Sequence, residues 1–258
     1  MRLKGHTALV TGSGRSLGQA IALRFAQEGA NVITNSRSTP EECEAVAKQC
    51  RAFGVKSIGI TADLSSREGV DALARKALQE FGRIDILVNN LGISPYVGLL
   101  DMSDEEWHKV LFVNLHQMFY FTRYFVPGML EQRWGRILNI TGHAYIHHHV
   151  GAHTSAGKAG AMGLTRAVAS EFAGAGITCN EVCPGWMDTE IRRNKYYQDL
   201  KPADQRPWGS AEERVKEIPA GRLGTPEEFA ALCAFLASDE GSYLTGQTYL
   251  VNGGTMFH

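Results

Sequence analysis

The stretch Thr11-Gly-Ser-Gly-Arg-Ser-Leu-Gly18 joins a short apolar run, residues 7–11, to a segment with helical periodicity, residues 16–28. Its three glycines permit a tight turn and let a ligand approach the main chain closely. A helix that starts at such a turn presents free N–H groups and the positive end of its dipole to a phosphate. The stretch therefore predicts a dinucleotide-binding turn. Its expected binding residues are Gly12, Gly14, Arg15, Ser16, Leu17 and Gly18.

Apolar runs of strand type alternate with helical patterns along the rest of the chain. Further strands are predicted at 30–34, 57–60, 84–88, 136–140, 177–182 and 248–251, and further helices at 41–53, 67–81, 104–132, 155–173 and 226–238. Continuously apolar strands that alternate with helices indicate an α/β fold with a doubly wound parallel sheet and helices on both faces. No composition break divides the chain, so residues 1–258 are expected to form a single domain.

The composition limits the classes of function. The chain has 258 residues, 44% hydrophobic, and 26 basic against 27 acidic side chains, which leaves a net charge of −1. Such a balance gives no overall attraction to nucleic acid or anionic membranes, so a small-molecule substrate is the expected partner. The five scattered cysteines indicate reduced packing thiols rather than a disulfide framework. No targeting leader or membrane span is recognisable, which predicts a cytoplasmic protein.

The residue after the second strand bears on the choice of nucleotide. An acidic side chain there would accept hydrogen bonds from the ribose hydroxyls of NAD, but the strand is followed by Ser36-Arg37. Arg37 can bind a 2′-phosphate, with help from Arg15, which favours NADP(H) while leaving NAD(H) open. The alternative is that Arg37 is an ordinary solvated arginine.

One segment interrupts the alternation. Residues 186–217 are rich in charge, aromatic side chains and proline, and they follow the carboxyl end of a predicted strand. Their position predicts a substrate lid or pocket wall, the alternative being a solvated surface excursion.

Other motifs resemble the classical short-chain dehydrogenase/reductase family over essentially the whole chain. The similar stretches are Asp63-Leu64, Asn89-Asn90-Leu91-Gly92, Val113-Asn114-Leu115, Pro184-Gly185-Trp-Met-Asp-Thr189, Gly221–Glu228 and Leu244–Gln247 with Val251–Gly254. The resemblance implies a Rossmann-type sheet of seven strands in the order 3-2-1-4-5-6-7, and a homo-oligomer, a tetramer or a dimer. It also implies nucleotide contacts from Asp63, Leu64, Asn90, Gly92, Lys158, Pro184, Gly185, Met187 and Thr189, and a catalytic asparagine at Asn114.

The catalytic pattern of the family is incomplete in this sequence. The family uses a serine and a Tyr-x-x-x-Lys motif, in which the tyrosine exchanges a proton with the substrate oxygen. Lys158 is present, but the residue four before it is Thr154, and the serine position falls on Gly142, after Thr141. A threonine hydroxyl is far less acidic than a phenol, so Thr154 cannot simply take over the proton transfer.

Nearby residues offer replacements. Five of the nine histidines lie between positions 143 and 153, and a histidine titrates close to neutral pH. His143 and Tyr145 are candidate proton donors, whereas His153 should point about 100° away from Thr154 on a helix. Consecutive histidines without spaced carboxylates are weak evidence for a metal, so none is predicted. Tyr145 also resembles the displaced tyrosine of dienoyl-CoA reductases.

Three functions remain open at this stage. The first is an NADP-dependent oxidoreductase that interconverts a carbonyl and an alcohol, with Asn114 supporting a water relay and Lys158 holding the ribose. The second is a reductase of conjugated enone or dienoyl double bonds, for which a weaker acid suffices. The third is a redox-inactive nucleotide-binding protein, or an enzyme of the dehydratase or isomerase type.

Overall fold

The computed structural model describes residues 1–95, 97–142, 151–189 and 211–257. His143, Tyr145 and most of the predicted lid, 186–217, lie outside these ranges, so the predictions made on them keep that status. Within the described ranges, no helix is long and apolar enough to cross a membrane.

Seven strands form one parallel sheet, in which the predicted order is confirmed: β3-β2-β1-β4-β5-β6-β7. Each neighbouring pair runs parallel. The strands are β1 (Thr7–Val10), β2 (Asn31–Ser36), β3 (Ser57–Thr61), β4 (Ile86–Asn89), β5 (Gly135–Ile140), β6 (Ile177–Pro184) and β7 (Thr248–Val251). Since the strands are parallel, their carboxyl ends meet along one edge, where a doubly wound sheet binds its ligands.

Eight α-helices connect and cover the strands in the described ranges. They are α1 (Ser16–Gln27), α2 (Pro40–Arg51), α3 (Arg67–Phe81), α4 (Asp104–Leu111), α5 (Gln117–Gln132), α6 (Ala152–Phe172), α7 (Ala211–Glu217) and α8 (Pro226–Leu236). Helices α1 and α8 pack with one face of the sheet, and helices α3, α5 and α6 with the other. Alternate residues of β1 divide between the two layers, Val10 into the first and Leu9 into the second. Burial on both faces explains why the strands read as continuous apolar runs.

The single helix predicted over 104–132 is interrupted. A π-helical turn, Phe112–His116, separates α4 from α5. Gln117 supports this turn by donating from Nε2 to the main-chain oxygens of Val113, at 2.8 Å, and Leu91, at 3.1 Å. The apolar spacing continues across the turn, so periodicity alone does not distinguish it from a straight helix.

The five cysteines are all free and buried, as the sequence predicts. Cys179 packs in the layer that includes α5 and α6. Cys183, four residues further along β6, is fully buried. Helices α5 and α6 also border a groove of about 500 Å³ whose walls include Phe119, Val126 and Leu164.

Candidate active site

The glycine-rich turn folds tightly at the carboxyl end of β1. Gly12 has a φ of +60°, which favours glycine. A Cβ atom on Gly18 would lie 2.5 Å from the main-chain oxygen of Gly12, and one on Gly14 would lie 3.0 Å from Cβ of Glu42. Glycine at 18 therefore lets α1 pack directly against the turn that precedes it, and the sequence prediction of a tight turn is confirmed.

Side chains from two neighbouring strands hold this turn in place. Asn35, fully buried at the end of β2, accepts a hydrogen bond from the Gly12 amide through Oδ1 at 3.1 Å. Asn90, after β4, donates from Nδ2 to the main-chain oxygens of Thr11, at 2.9 Å, and Gly12, at 3.1 Å. Asn35 was not predicted as a site residue, although its polar side chain at the end of an apolar strand is a signal for it. The Asn90 amide group supports the turn rather than reaching beyond it.

Ser16 starts α1 in a left-handed conformation, with a φ of +52°. Its Oγ is buried and has no hydrogen-bond partner among the described residues. No side chain caps the helix, and its first turn carries no acidic residue. A buried hydroxyl and an uncapped helix N-terminus are the groups that bind a phosphate, so the turn fits the pyrophosphate of a dinucleotide. The flanking Arg15 is extended and exposed, and Leu17 packs against the core.

Arg37 and Asp63 lie close together at the ends of β2 and β3. The Arg37 Nε is 3.9 Å from Asp63 Oδ2, and both side chains are more than half exposed. Partial burial raises the pKa of Asp63, but hydrogen bonds from Ser65 and the charges of Arg37 and Lys109 outweigh it, so this pKa lies below its usual value. Leu64, predicted beside the adenine, has a buried side chain that belongs to the core.

Three predicted residues converge beyond β4: Gly92, Asn114 and Lys158. A Cβ atom on Gly92 would lie 2.9 Å from Lys158 Nζ and 3.1 Å from Asn114 Oδ1. Asn114 is fully buried in the π-helical turn and bonds the main chain of Ile93 twice, accepting from its amide at 3.0 Å and donating to its oxygen at 2.8 Å. Glycine at 92 thus leaves room for both the lysine and the asparagine side chains beside it.

Lys158 lies on α6, with its side chain buried. Its Nζ donates to the main-chain oxygen of Ile140, at the end of β5, at 3.3 Å. Burial lowers the pKa of this ammonium group to about 8, against the smaller opposing effects of Cys183 and Glu181. Lys158 is therefore able to exchange a proton close to neutral pH.

Thr154 lies one turn before Lys158 and is fully buried. Contrary to the prediction that His153 points away, His153 Nδ1 lies 3.2 Å from Thr154 Oγ1 and accepts from its main-chain amide at 2.7 Å. The same amide also donates to the Gly151 oxygen at 3.0 Å, so it is shared between a main-chain and a side-chain acceptor at the start of the helix. Burial lowers the pKa of His153, while the Gly151 main chain and the Glu106 charge act to raise it.

Neither residue at the predicted serine position offers a free hydroxyl. Gly142 has a φ of +117°, a conformation that strains any residue with a side chain. The Thr141 hydroxyl is directed to the fully buried Glu181, donating to its Oε1 at 2.6 Å. Glu181, a charged residue inside the predicted strand 177–182, is the sequence signal for this contact.

The stretch Pro184–Thr189, which is predicted to contact the nucleotide, begins at the last residue of β6. The Gly185 amide donates to the Val251 oxygen at 2.8 Å, and a Cβ on Gly185 would lie 2.6 Å from Asn252 Cα. Met187 is buried and forms an isolated parallel bridge with Gly224. Pro184 ends β6 itself, and Thr189 is nearly buried. Within the described ranges, no group of three or more His, Cys, Asp or Glu side chains could hold a metal ion.

Comparison with known proteins gives consistent matches over nearly the whole chain. A family model described as enoyl-(acyl carrier protein) reductase matches residues 12–256. The 3-oxoacyl-[acyl-carrier-protein] reductase FabG of Thermotoga maritima is 37% identical and covers 98% of this chain and 99% of its own. The FabG of Pseudomonas aeruginosa is 40% identical and covers 98% of each chain.

A solved structure is similar as well. A protein assigned as an NAD(P)-dependent gluconate 5-dehydrogenase from Beutenbergia cavernae, with NADP bound at low occupancy, superposes with a TM-score of 0.86. It is 37% identical, and the match covers 98% of this chain and 97% of that one. The similarity in sequence and in fold thus extends over nearly the whole chain.

Proposed function

Because the chain belongs to the short-chain dehydrogenase/reductase family, we propose that it is an oxidoreductase that uses NADP(H) and interconverts a carbonyl and an alcohol on a small substrate. The single observation that carries the proposal is the phosphate site at the start of α1. The Ser16 hydroxyl is buried there without a partner, on an uncapped helix N-terminus beside a turn that Asn35 and Asn90 hold. NADP(H), when bound, supplies or accepts the hydride.

The preference for NADP(H) rests on Arg37. Its guanidinium group is 69% exposed, with only one distant carboxylate, Asp63, as its described ion-pair partner. An exposed guanidinium group at the end of β2 can bind a 2′-phosphate through two hydrogen bonds. The NADP-bound structure from Beutenbergia cavernae supports the same nucleotide.

The usual tyrosine proton donor is replaced by Thr154 in this chain, so another group must supply the proton. Thr154 Oγ1 is engaged with His153, and Thr141 with Glu181. Lys158 keeps the predicted role of holding the ribose. Asn114 keeps that of supporting a water relay, because its amide group, although bonded twice to Ile93, has a second N–H and a second oxygen lone pair. The pKa of about 8 lets Lys158 return a proton at neutral pH. His143 and Tyr145 remain the predicted donors to the substrate oxygen.

A second candidate is the reduction of a conjugated double bond. It is supported by the absence of a strong acid at Thr154. The hydride then adds to the β-carbon, the enolate oxygen needs only a hydrogen-bond donor, and the α-carbon takes its proton from solvent. The description of the matching family model, enoyl-(acyl carrier protein) reductase, names this bond, whereas the FabG relatives are named for a 3-oxoacyl substrate.

Nucleotide titration tests the proposal first. Calorimetry with NADPH and NADH is carried out on the wild type, Arg37→Ala and the matched control Arg51→Ala, an arginine paired with Glu44 on α2. We expect Arg37→Ala to weaken the binding of NADPH by ~10-fold or more, which is the contribution of a bidentate phosphate contact. The binding of NADH should change little. Equal losses for the two nucleotides would refute the 2′-phosphate contact, and no binding of either would refute the proposal.

A substrate panel then separates the reactions. Ketones and 3-oxoacyl thioesters test carbonyl reduction, and conjugated enones and enoyl thioesters test reduction of the double bond, each followed through NADPH absorbance. Turnover in one set selects that reaction. Tight nucleotide binding without turnover in either set favours a redox-inactive protein, or acid/base chemistry without hydride transfer.

The homo-oligomer implied by the family resemblance stays a prediction. Light scattering tests it against the 28.3 kDa of one chain. A mass near two or four chains is expected, and a mass of one chain at micromolar concentration would contradict it.

A further inference from the structure

A carboxylate is buried in the sheet directly behind the lysine site. Glu181 lies on β6 and has no exposed surface. Its two oxygens accept hydrogen bonds from Thr141 Oγ1, directly after β5, and from Thr248 Oγ1 on β7, both at 2.6 Å. Two accepted bonds of this length are typical of an ionised carboxylate, which has no proton of its own to donate.

Isolated buried charges are costly, so a carboxylate kept at this position needs compensation. Hydroxyl groups provide part of it. A positive charge is also at hand, because the residue before Thr141, Ile140, accepts a hydrogen bond from Lys158 Nζ at 3.3 Å. The chain of contacts thus runs from the ammonium group through the end of β5 to Glu181.

The alternation of the strands places these groups on one face. Residues 139 and 141 of the β5 segment and residues 179, 181 and 183 of the β6 segment alternate onto the same side of the sheet. Asn139 Nδ2 contacts Thr165 of α6 at 2.9 Å, which identifies that side as the one α6 covers. Lys158 lies on α6, so it shares the layer with Glu181.

We propose that Glu181 is a positioning residue whose buried carboxylate, fixed by Thr141 and Thr248, is the counter-charge that keeps the Lys158 ammonium group charged in its buried site. The role is not one of contact with substrate or nucleotide. Glu181 acts through Lys158. The proposed effect is on the ionisation of that lysine in the protein without nucleotide. The inference therefore stands whether or not the proposed redox reaction is correct.

The other groups that face Lys158 are consistent with this assignment. Among the described residues, Cys183 and Glu181 of β6 are the titratable groups that act on its charge. Burial raises the pKa of the Cys183 thiol to about 12, so it is neutral at physiological pH. The β5 strand contributes the Ile140 oxygen, and the π-helical turn contributes Asn114, which is uncharged. Of the two described titratable groups that act on Lys158, Glu181 is thus the one that supplies a negative charge.

The test is an NMR titration of protein labelled with ¹³C-lysine and free of nucleotide, with the Lys158 signal assigned through its loss in Lys158→Met. Glu181→Gln removes the charge and keeps the shape. We expect the pH midpoint of Lys158 to fall, so that near pH 8 the ratio of charged to neutral lysine drops ~10-fold, the effect of losing one nearby opposite charge. The control Thr165→Val alters a buried threonine of the same layer and should leave the midpoint unchanged.

A second variant keeps the test decisive if Glu181→Gln does not fold. The triple change Thr141→Val, Glu181→Met and Thr248→Val removes the carboxylate together with both of its partners, so no buried polar group is left unpaired. The same fall in the Lys158 midpoint is expected. An unchanged midpoint in either folded variant would overturn the proposal. Since the readout needs no turnover, failure of the proposed reductase activity would not produce that result.

Discussion

Asn114 and Ile93 are joined by two hydrogen bonds, from the Ile93 amide to Oδ1 at 3.0 Å and from Nδ2 to the Ile93 oxygen at 2.8 Å. The pair ties the π-helical turn to the segment that follows β4. Gly92, the neighbour of Ile93, is the residue against which Lys158 lies. One asparagine side chain therefore sets the distance between two parts of the candidate active site.

The first prediction follows from this pair. Asn114→Ala removes two part-buried hydrogen bonds and leaves the Ile93 groups without their partner, so we expect a loss of ~2 kcal/mol in the free energy of unfolding. Urea denaturation measures it. Asn31→Ala is the matched control, because Asn31 Oδ1 also accepts a main-chain amide, that of Lys56 at 2.9 Å, but at an exposed site. Equal losses in the two variants would contradict the assigned role.

The second prediction separates conformation from ligand binding at Ser16. Ser16→Gly and Ser16→Ala both remove the unpartnered hydroxyl, so both should weaken the binding of NADPH to a similar extent. The φ of +52° suits glycine and strains alanine, and we expect the glycine variant to be more stable than the alanine variant by ~1 kcal/mol. Thermal unfolding and calorimetry measure the two effects. A glycine variant that binds NADPH as tightly as the wild type would exclude a phosphate contact by Oγ.

The third prediction concerns pH and Lys158. The pKa of this lysine is about 8 in the folded chain, below the usual 10.5 of an exposed lysine. Between these values the unfolded chain holds a proton that the folded chain has released, so rising pH favours folding. Below pH 8 both states are protonated and the burial penalty is present in full. We expect the wild type to gain stability relative to Lys158→Met between about pH 8 and about pH 10.

Urea midpoints measured across this range check the prediction. Lys76→Met is the control, because Lys76 lies on the surface, where it pairs with Glu80. The difference between wild type and this variant should show no such rise with pH. A constant difference between wild type and Lys158→Met would show that burial leaves the lysine unperturbed.

The fourth prediction tests whether the rest of the catalytic site is competent. Thr154→Tyr introduces a phenol one helical turn before Lys158, and we expect ketone reduction to rise by ~10²-fold, the lower range of general acid catalysis. Thr154→Phe supplies the same ring without the hydroxyl and should show no gain. Since Thr154 is fully buried, both variants should lose ~1–3 kcal/mol of stability through overpacking. Equal activity in the two would exclude the phenol as the source.

The parallel α/β sheet and the tight glycine-rich turn were accessible from the sequence for local reasons, whereas the order of the strands came from the family resemblance. Apolar runs such as residues 7–11 show burial on both faces, and glycines 12 and 18 are needed where a turn and a close packing of α1 leave no room for a side chain. The resemblance to the family motifs pointed in addition to Asn114 and Lys158, which both lie beside Gly92.

The tertiary structure alone decided which side chains hold these groups. Asn35 bonds Gly12 across 23 positions, and Thr141 bonds Glu181 across 40; such pairs leave no periodic pattern in the chain. The π-helical turn at Asn114 depends likewise on Ile93 and Leu91, from another element. The physical reason is that strand alternation and turn chemistry are properties of neighbouring residues, whereas the partner of a buried polar group is selected by the packing of distant segments.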